Sequence, residues 1–167
     1  CLTRSIRRVG SERFDGDDRR WPLHAAAGRR REAEGFLAMI VAVISGGRSP
    51  ERDVSLISGA AVADGVQRAG HEVRAIEIDA EGCWFHEGTE LELRAGHGLL
   101  DAEVAFPVLH GPFGEDGTIQ GLLEMLDIAY VGSGVRASAV CIDKLALKQL
   151  LAHLGIAQVE FVALTRA

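Results

Sequence analysis

The sequence predicts an α/β domain with a small, mainly parallel β-sheet and flanking helices. Three observations carry that expectation. The run "IVAVI" (40–44) is continuously apolar and "EVAFPVL" (103–109) is apolar after its first residue, as strands buried on both faces of a parallel sheet are. Each is closed by a glycine-rich turn, "SGGRSPE" (45–51) and "HGPFGEDG" (110–117). Each turn leads into residues whose apolar members recur at helical spacing, so strand, turn and helix alternate as βαβ units require.

Taken in order, the first strand gives way to a helix with Ser49 as N-cap and Pro50 at the first helical position, or with a slightly later start at Asp53. Val54, Ile57, Ala61 and Val62 are its expected inner face, and Gly70 stops it. "HEVRAIEI" (71–78) alternates like a more exposed strand. Residues 81–100 read as a loop with short extended pieces around Trp84 and Leu91. Within 103–109, Pro107 marks a strand end or a position that needs no ladder donor. Beyond the second turn Ile119, Leu122, Leu123 and Leu126 fall at i, i+3, i+4 and i+7, and a short strand "IAYVG" and a helical region from about Val135 to Leu154 follow. The tail "IAQVEFVALTRA" opens as a further strand, so the chain reads as the first part of a longer protein.

The 167 residues suffice for one core. Apolar residues are 47% and charged residues 25%, with no run approaching the roughly 18–20 apolar residues of a membrane span. Residues 1–38 carry nine Arg against six acids (+3) and residues 39–167 nine Lys and Arg against eighteen acids (−9), giving the net −6. An acidic body lacks the basic face that nucleic acid requires. Cys1, Cys83 and Cys141 have unrelated spacings without C-x-x-C, which suggests neither a disulfide framework nor a zinc cluster and fits a reducing cytoplasm. Cys141 in "SAVCID" reads as a buried small hydrophobe. Residues 1–38 show no sustained period and are expected to be a non-native or disordered extension, with Met39 as the start of the folded part.

Three loops follow apolar strands: 45–51, 110–117 and "VGSGVRAS" (131–138). In a parallel sheet they emerge together at the carboxyl edge, where open α/β folds bind ligands. None carries the P-loop or dinucleotide glycine fingerprint; each is either a tight turn or a cradle of free N–H groups. Glu51 is either an acid favourable to a helix N-terminus or an anchor for a substrate ammonium group. In "HGPFGEDGTIQG" (110–121) a metal would need three converging ligands, and His110, Glu115 and Asp116 are set on a glycine-rich loop that imposes no such geometry. Asp116 reads as N-cap of the following helix, Glu115 as a first-turn acid or loop acceptor, and His110 as the side chain that faces a ligand or a structural histidine at a strand end.

The segments "GGRSPERDVSLISGAAV", "LHGPFGEDGTIQGLLEMLDIAYVGSGVRASAVCIDKLALK" and "FVALTRA" closely resemble the N-terminal part of bacterial D-alanine:D-alanine ligases, cytoplasmic enzymes of the ATP-grasp superfamily. The resemblance runs from Met39 to Ala167, and 110–121 fits H-G-x-x-G-E-D-G-x-x-[QSA]-G at every fixed position. It implies a Rossmann-like substrate-binding domain over 39–135 and the incomplete start of an ATP-grasp central domain over 136–167. It also implies a reaction for peptidoglycan precursors: ATP phosphorylates the carboxylate of one D-alanine, and the amine of a second D-alanine attacks the acyl phosphate. By that resemblance Glu51 and His110 are the catalytic pair that holds the first D-alanine, with Val54 and Ser55 lining the subsite and Ser133 and Gly134 near it. Lys144 is matched to ATP phosphates. ATP and Mg²⁺ are the implied cofactors, with the metal ligands expected beyond this chain, and a homodimer is the implied assembly.

A D-alanine:D-lactate ligase and a non-catalytic α/β ligand-binding module are the alternatives. Phosphoryl transfer depends on positioned metals and cations, so the 167-residue polypeptide alone is expected to be inactive. Turnover of D-alanine and ATP by the purified chain, above a blank, would overturn that expectation.

Overall fold

Ile40–Gly46 (β1) is the spine around which the other strands are placed. The computed structural model describes residues 38–164; the expected extension over 1–38 falls, but for Ala38, outside the described residues. β1 pairs in parallel with β2 (Glu72–Ile78) on one side and with β5 (Val104–Pro107) on the other. β6 (Ala129–Tyr130) continues parallel beyond β5. On the far side of β2, β3 (Trp84–His86) and β4 (Thr89–Glu90) form an antiparallel hairpin, giving the order β4-β3-β2-β1-β5-β6. The sheet is therefore mainly parallel, as expected, and the extended pieces near Trp84 and Leu91 are this hairpin.

The chain leaves β1 toward β2 through helix α1 (Arg52–Arg68) and leaves β5 toward β6 through α2 (Thr118–Met125). These two crossovers run in opposite directions from the β1–β5 pair, so right-handed connections place the helices on opposite faces. Packing shows this. Gly59 of α1 lies against Ser45, whereas Ile119 and Leu123 of α2 join Ala42, Ile44, Ile76, Trp84 and Ala105 in the buried core. Ile119, Leu123 and Leu126 are buried as their spacing requires. Pro107 sits at the strand end, opposite the chain beyond β6, where no ladder donor is needed.

The inner face of α1 corrects the expectation from apolar spacing. Val54 and Ile57 are 54% and 74% exposed, and Ala61 is exposed; the fully buried positions are Ser55 and Gly59. The reason is distance. A Cβ on Gly59 would lie 2.4 Å from the Ser45 Cβ, so the helix approaches β1 through its smallest residues. Ser55, one turn earlier, is buried because its hydroxyl is bonded on both sides. It accepts from the Gly46 N–H at 2.9 Å and donates to the Val108 carbonyl at 2.6 Å. The helix itself starts at Arg52 with Glu51 in the cap position, while the Ser49 hydroxyl accepts from the Glu51 N–H in the turn before it.

Three further differences have local causes. The region 135–154 is two helices, α3 (Val135–Ile142) and α4 (Lys144–His153), broken at Asp143, whose extended backbone lets its carboxylate cap α4 through the Leu145 and Ala146 N–H groups. Cys141 is exposed rather than buried, because α3 turns only Ser138 fully inward. Residues 156–164 form no strand.

Replacing Ser55 by alanine orphans a buried N–H and leaves a carbonyl under-satisfied, at about 1–3 kcal/mol for such a group. Ser55→Ala is expected to lower unfolding free energy by about that amount in a urea titration, with Ser55→Thr recovering part of it. A change within error would remove the bridge as a stabilising element.

Candidate functional site

β1 and β5 are paired as far as Ile44 and Pro107, and Val108 still donates to the Ile44 carbonyl at 2.8 Å. Beyond that point they part, and the Ser55 hydroxyl fills the gap. This is the position at which the two crossovers diverge, and in open parallel sheets such switch points form the ligand crevice. The loops after β1, β5 and β6 all leave at this edge, as expected.

Glu51 stands at the entrance of α1. Its carboxylate makes no capping hydrogen bond and lies over Gly111. A Cβ placed on Gly111 would be 2.7 Å from Glu51 Oε2 and 2.9 Å from Ser49 Oγ. Only a glycine leaves room there, and at φ +68° the backbone is in the region that favours glycine. His110, the residue before it, is partly buried, with its Nε2 3.4 Å from the Ser58 hydroxyl of α1. Glu51 at the start of α1 thus lies over Gly111, while His110 reaches Ser58 two turns further along the same helix.

The second loop closes on itself. Glu115 Oε2 accepts from the Gly111 N–H at 2.9 Å, while the Glu115 and Gly114 N–H groups donate to the Gly111 carbonyl at 3.0 and 3.2 Å. Asp116 accepts from the Phe113 and Thr118 N–H groups at 2.9 and 3.0 Å. The helix cap is Gly117, at φ 94°, and not Asp116 as its residue type suggested; Asp116 instead braces the turn on both sides. Phe113 is held at φ +70°, an outlier for a bulky residue, with the Arg48 guanidinium 5.2 Å over its ring centroid. Arg48 thus ties the first loop to the second. A Cβ on Gly117 would lie 2.8 Å from the Val135 carbonyl, so the loop after β6 packs on the same cluster.

The family model described as "D-ala D-ala ligase N-terminus" matches residues 40–99 and 89–133. The chain belongs to this D-Ala-D-Ala ligase N-terminus family. A D-alanine--D-alanine ligase of Anaeromyxobacter dehalogenans is 48% identical over 127 residues, which are 76% of this chain and 38% of that one. Its counterpart in Syntrophotalea carbinolica is 44% identical over 126 residues, 75% of this chain and 38% of its own length. The chain thus spans about two fifths of the curated relatives it matches. Among solved structures, the D-alanine-D-alanine ligase from Coxiella burnetii superposes with a TM-score of 0.69 at 30% identity, covering 74% of this chain and 43% of that one. The VanG D-Ala:D-Ser ligase from Enterococcus faecalis gives 0.64 at 30%, covering 72% and 43%.

Within this ligase domain the other sequence-derived candidates are spread more widely. Val54 is exposed beside Glu51 on the first turn of α1. Ser55 is fully buried with its hydroxyl committed to two backbone groups. Ser133 and Gly134 are exposed and lead into α3; the Ser133 carbonyl accepts from Ser138 Oγ at 3.3 Å. Lys144 lies on α4, its Nζ donating to the Cys141 carbonyl at 3.4 Å. Its helix N-terminus is already capped by Asp143, and the lysine is exposed. Among the described residues no group of three His, Cys, Asp or Glu converges as a metal site. Nor does Cys83 have thiolate character: Asp79 and burial push its thiol up. Sequence reasoning gave Ser49 only a capping role and passed over Gly111 and the Arg48–Phe113 pair. The glycine directly after His110 was the available signal.

Burial alone would raise the Asp116 carboxyl, but the Phe113 and Thr118 N–H groups outweigh it and hold the group below its ordinary range. A depressed carboxyl adds stability that is fully present above its unfolded value, about 3.9, and lost as pH falls through the lower folded value. Asp116→Asn is therefore expected to lower the thermal midpoint at pH 7 and by a smaller margin near pH 3. Equal losses at both would rule out the charged contribution.

Proposed function

We propose that this chain carries the first amino-acid subsite of an ATP-dependent D-alanine:D-alanine ligase that forms D-alanyl-D-alanine through an acyl phosphate, for peptidoglycan precursors, in the cytoplasm. The observation that carries the reading is the Glu51 carboxylate, uncapped and seated over Gly111 beside His110 at the switch point. A carboxylate that makes no hydrogen bond to a donor among the described residues, at a crevice edge, is an acceptor for an ammonium group. Val54, exposed on the same helical turn, offers an apolar contact for a methyl side chain, and His110 can hold or move a proton at the bound amino acid.

Two D-alanine molecules and ATP are the proposed substrates, with Ser133 and Gly134 bordering the subsite and Lys144 meeting a phosphate oxygen as a point charge. ATP supplies the phosphoryl group that activates the carboxylate. Mg²⁺ is assigned no ligand among the residues described. A homodimer is the proposed assembly. D-alanine is preferred as second substrate because relatives at 44–48% identity carry that name, while the D-Ala:D-Ser ligase sharing this fold bears a different second specificity by its title.

A charge-assisted hydrogen bond contributes about 1.5–3 kcal/mol, about tenfold to a hundredfold in affinity. Glu51→Gln in the full-length enzyme is expected to raise the KM for D-alanine at the first subsite by that factor. An unchanged KM would overturn the ammonium-anchor role.

A further inference from the structure

We propose that Glu115 is a positioning residue for the amino-acid subsite: it locks Gly111 in the turn that makes room for the Glu51 carboxylate. The proposal rests on the reading of Glu51 given above. Glu115 is exposed, so nothing in its burial demands a charge there. What it does is close a ring. Its side chain accepts from the Gly111 N–H at 2.9 Å and its own N–H donates to the Gly111 carbonyl at 3.0 Å. Both polar groups of one buried glycine are thereby tied to one residue four positions on.

That ring has a specific consequence for the neighbouring loop. Gly111 is buried at φ +68°, and the space on the Cβ side of its Cα is taken up by Glu51 Oε2 and Ser49 Oγ. With Glu115 truncated, the buried N–H is left without its partner, a costly state. The acceptors beside that residue are the Glu51 carboxylate and the Ser49 hydroxyl. Relaxation of the turn toward either would divert Glu51 from a ligand ammonium or shift His110, which precedes Gly111 directly. Glu115 thus keeps a competing donor satisfied and leaves Glu51 for the substrate. Only an acceptor oxygen is needed for this, so a glutamine serves and an alanine does not.

The test is steady-state kinetics of the full-length ligase with Glu115→Ala, Glu115→Gln, Gly111→Ala and Glu51→Gln. Glu115→Ala is expected to raise the KM for D-alanine at the first subsite by about tenfold, the equivalent of one charge-assisted hydrogen bond, and to leave the KM for ATP unchanged. Glu115→Gln is expected to stay close to the parent. Gly111→Ala should raise the same KM, and the double variant with Glu115→Ala should be no worse than the poorer single, since both act on one space. In ¹⁵N-labelled protein, the Gly111 amide should exchange faster in Glu115→Ala and not in Glu115→Gln.

An unchanged D-alanine KM in Glu115→Ala, alongside a raised one in Glu51→Gln, overturns the positioning role alone. Loss in Glu115→Gln equal to that in Glu115→Ala shows that charge is what counts and also overturns it, as does an equal rise in the KM for ATP. An unchanged KM in Glu51→Gln overturns the anchor itself, whatever Glu115 does.

Discussion

The site depends on one hydroxyl. Ser55 stands where β1 and β5 cease to pair, and its oxygen satisfies one backbone group from each strand. Without it the parting of the strands would leave the Gly46 N–H without this buried partner and the Val108 carbonyl under-satisfied, which is costly. The same bond sets the height of α1 above the sheet, which Gly59 then allows to be small. It also fixes the start of the helix, because the Ser55 N–H donates to the Glu51 carbonyl at 3.0 Å. A buried hydroxyl therefore helps to set where the Glu51 carboxylate stands.

The three acids around the second loop divide by their hydrogen bonding. Asp116 is occupied by two N–H groups and Glu115 by one. Glu51 caps nothing. Acidic side chains on a glycine-rich turn look interchangeable in composition, yet here two of them are consumed by the turn and one is left over. The turn is in turn held against the first loop by Arg48 on Phe113, so strain at a left-handed phenylalanine is balanced by contacts on each side of it.

How much of this was legible in the sequence follows from what each element relies on. The apolar runs of β1 and β5, the glycine turns behind them and the Ile119–Leu126 spacing of α2 report hydrophobic burial, which composition records directly. The inner face of α1 does not, because Ser55 is buried by hydrogen bonds and Gly59 by closeness, and neither adds to an apolar stripe; Val54 and Ile57 do, and they face outward. Asp116 has the residue type of a cap, but the left-handed Gly117 takes that position. His110 and Glu51 were recognisable as candidates from their places at a strand end and a helix start. That the Glu51 carboxylate sits over Gly111 is a property of three-dimensional approach, which the sequence signals only by placing a glycine after His110.

Both borders of the sheet are strands of two residues, Thr89–Glu90 on one side and Ala129–Tyr130 on the other. Such stubs present too few free N–H and C=O groups to template another strand. The border beside β2 is also stepped, because β3 covers only Ile76–Ile78 of that strand. Among the described residues an incoming strand would meet short, offset segments, which limits backbone pairing at the flanks while the strand ends keep their unpaired loop groups.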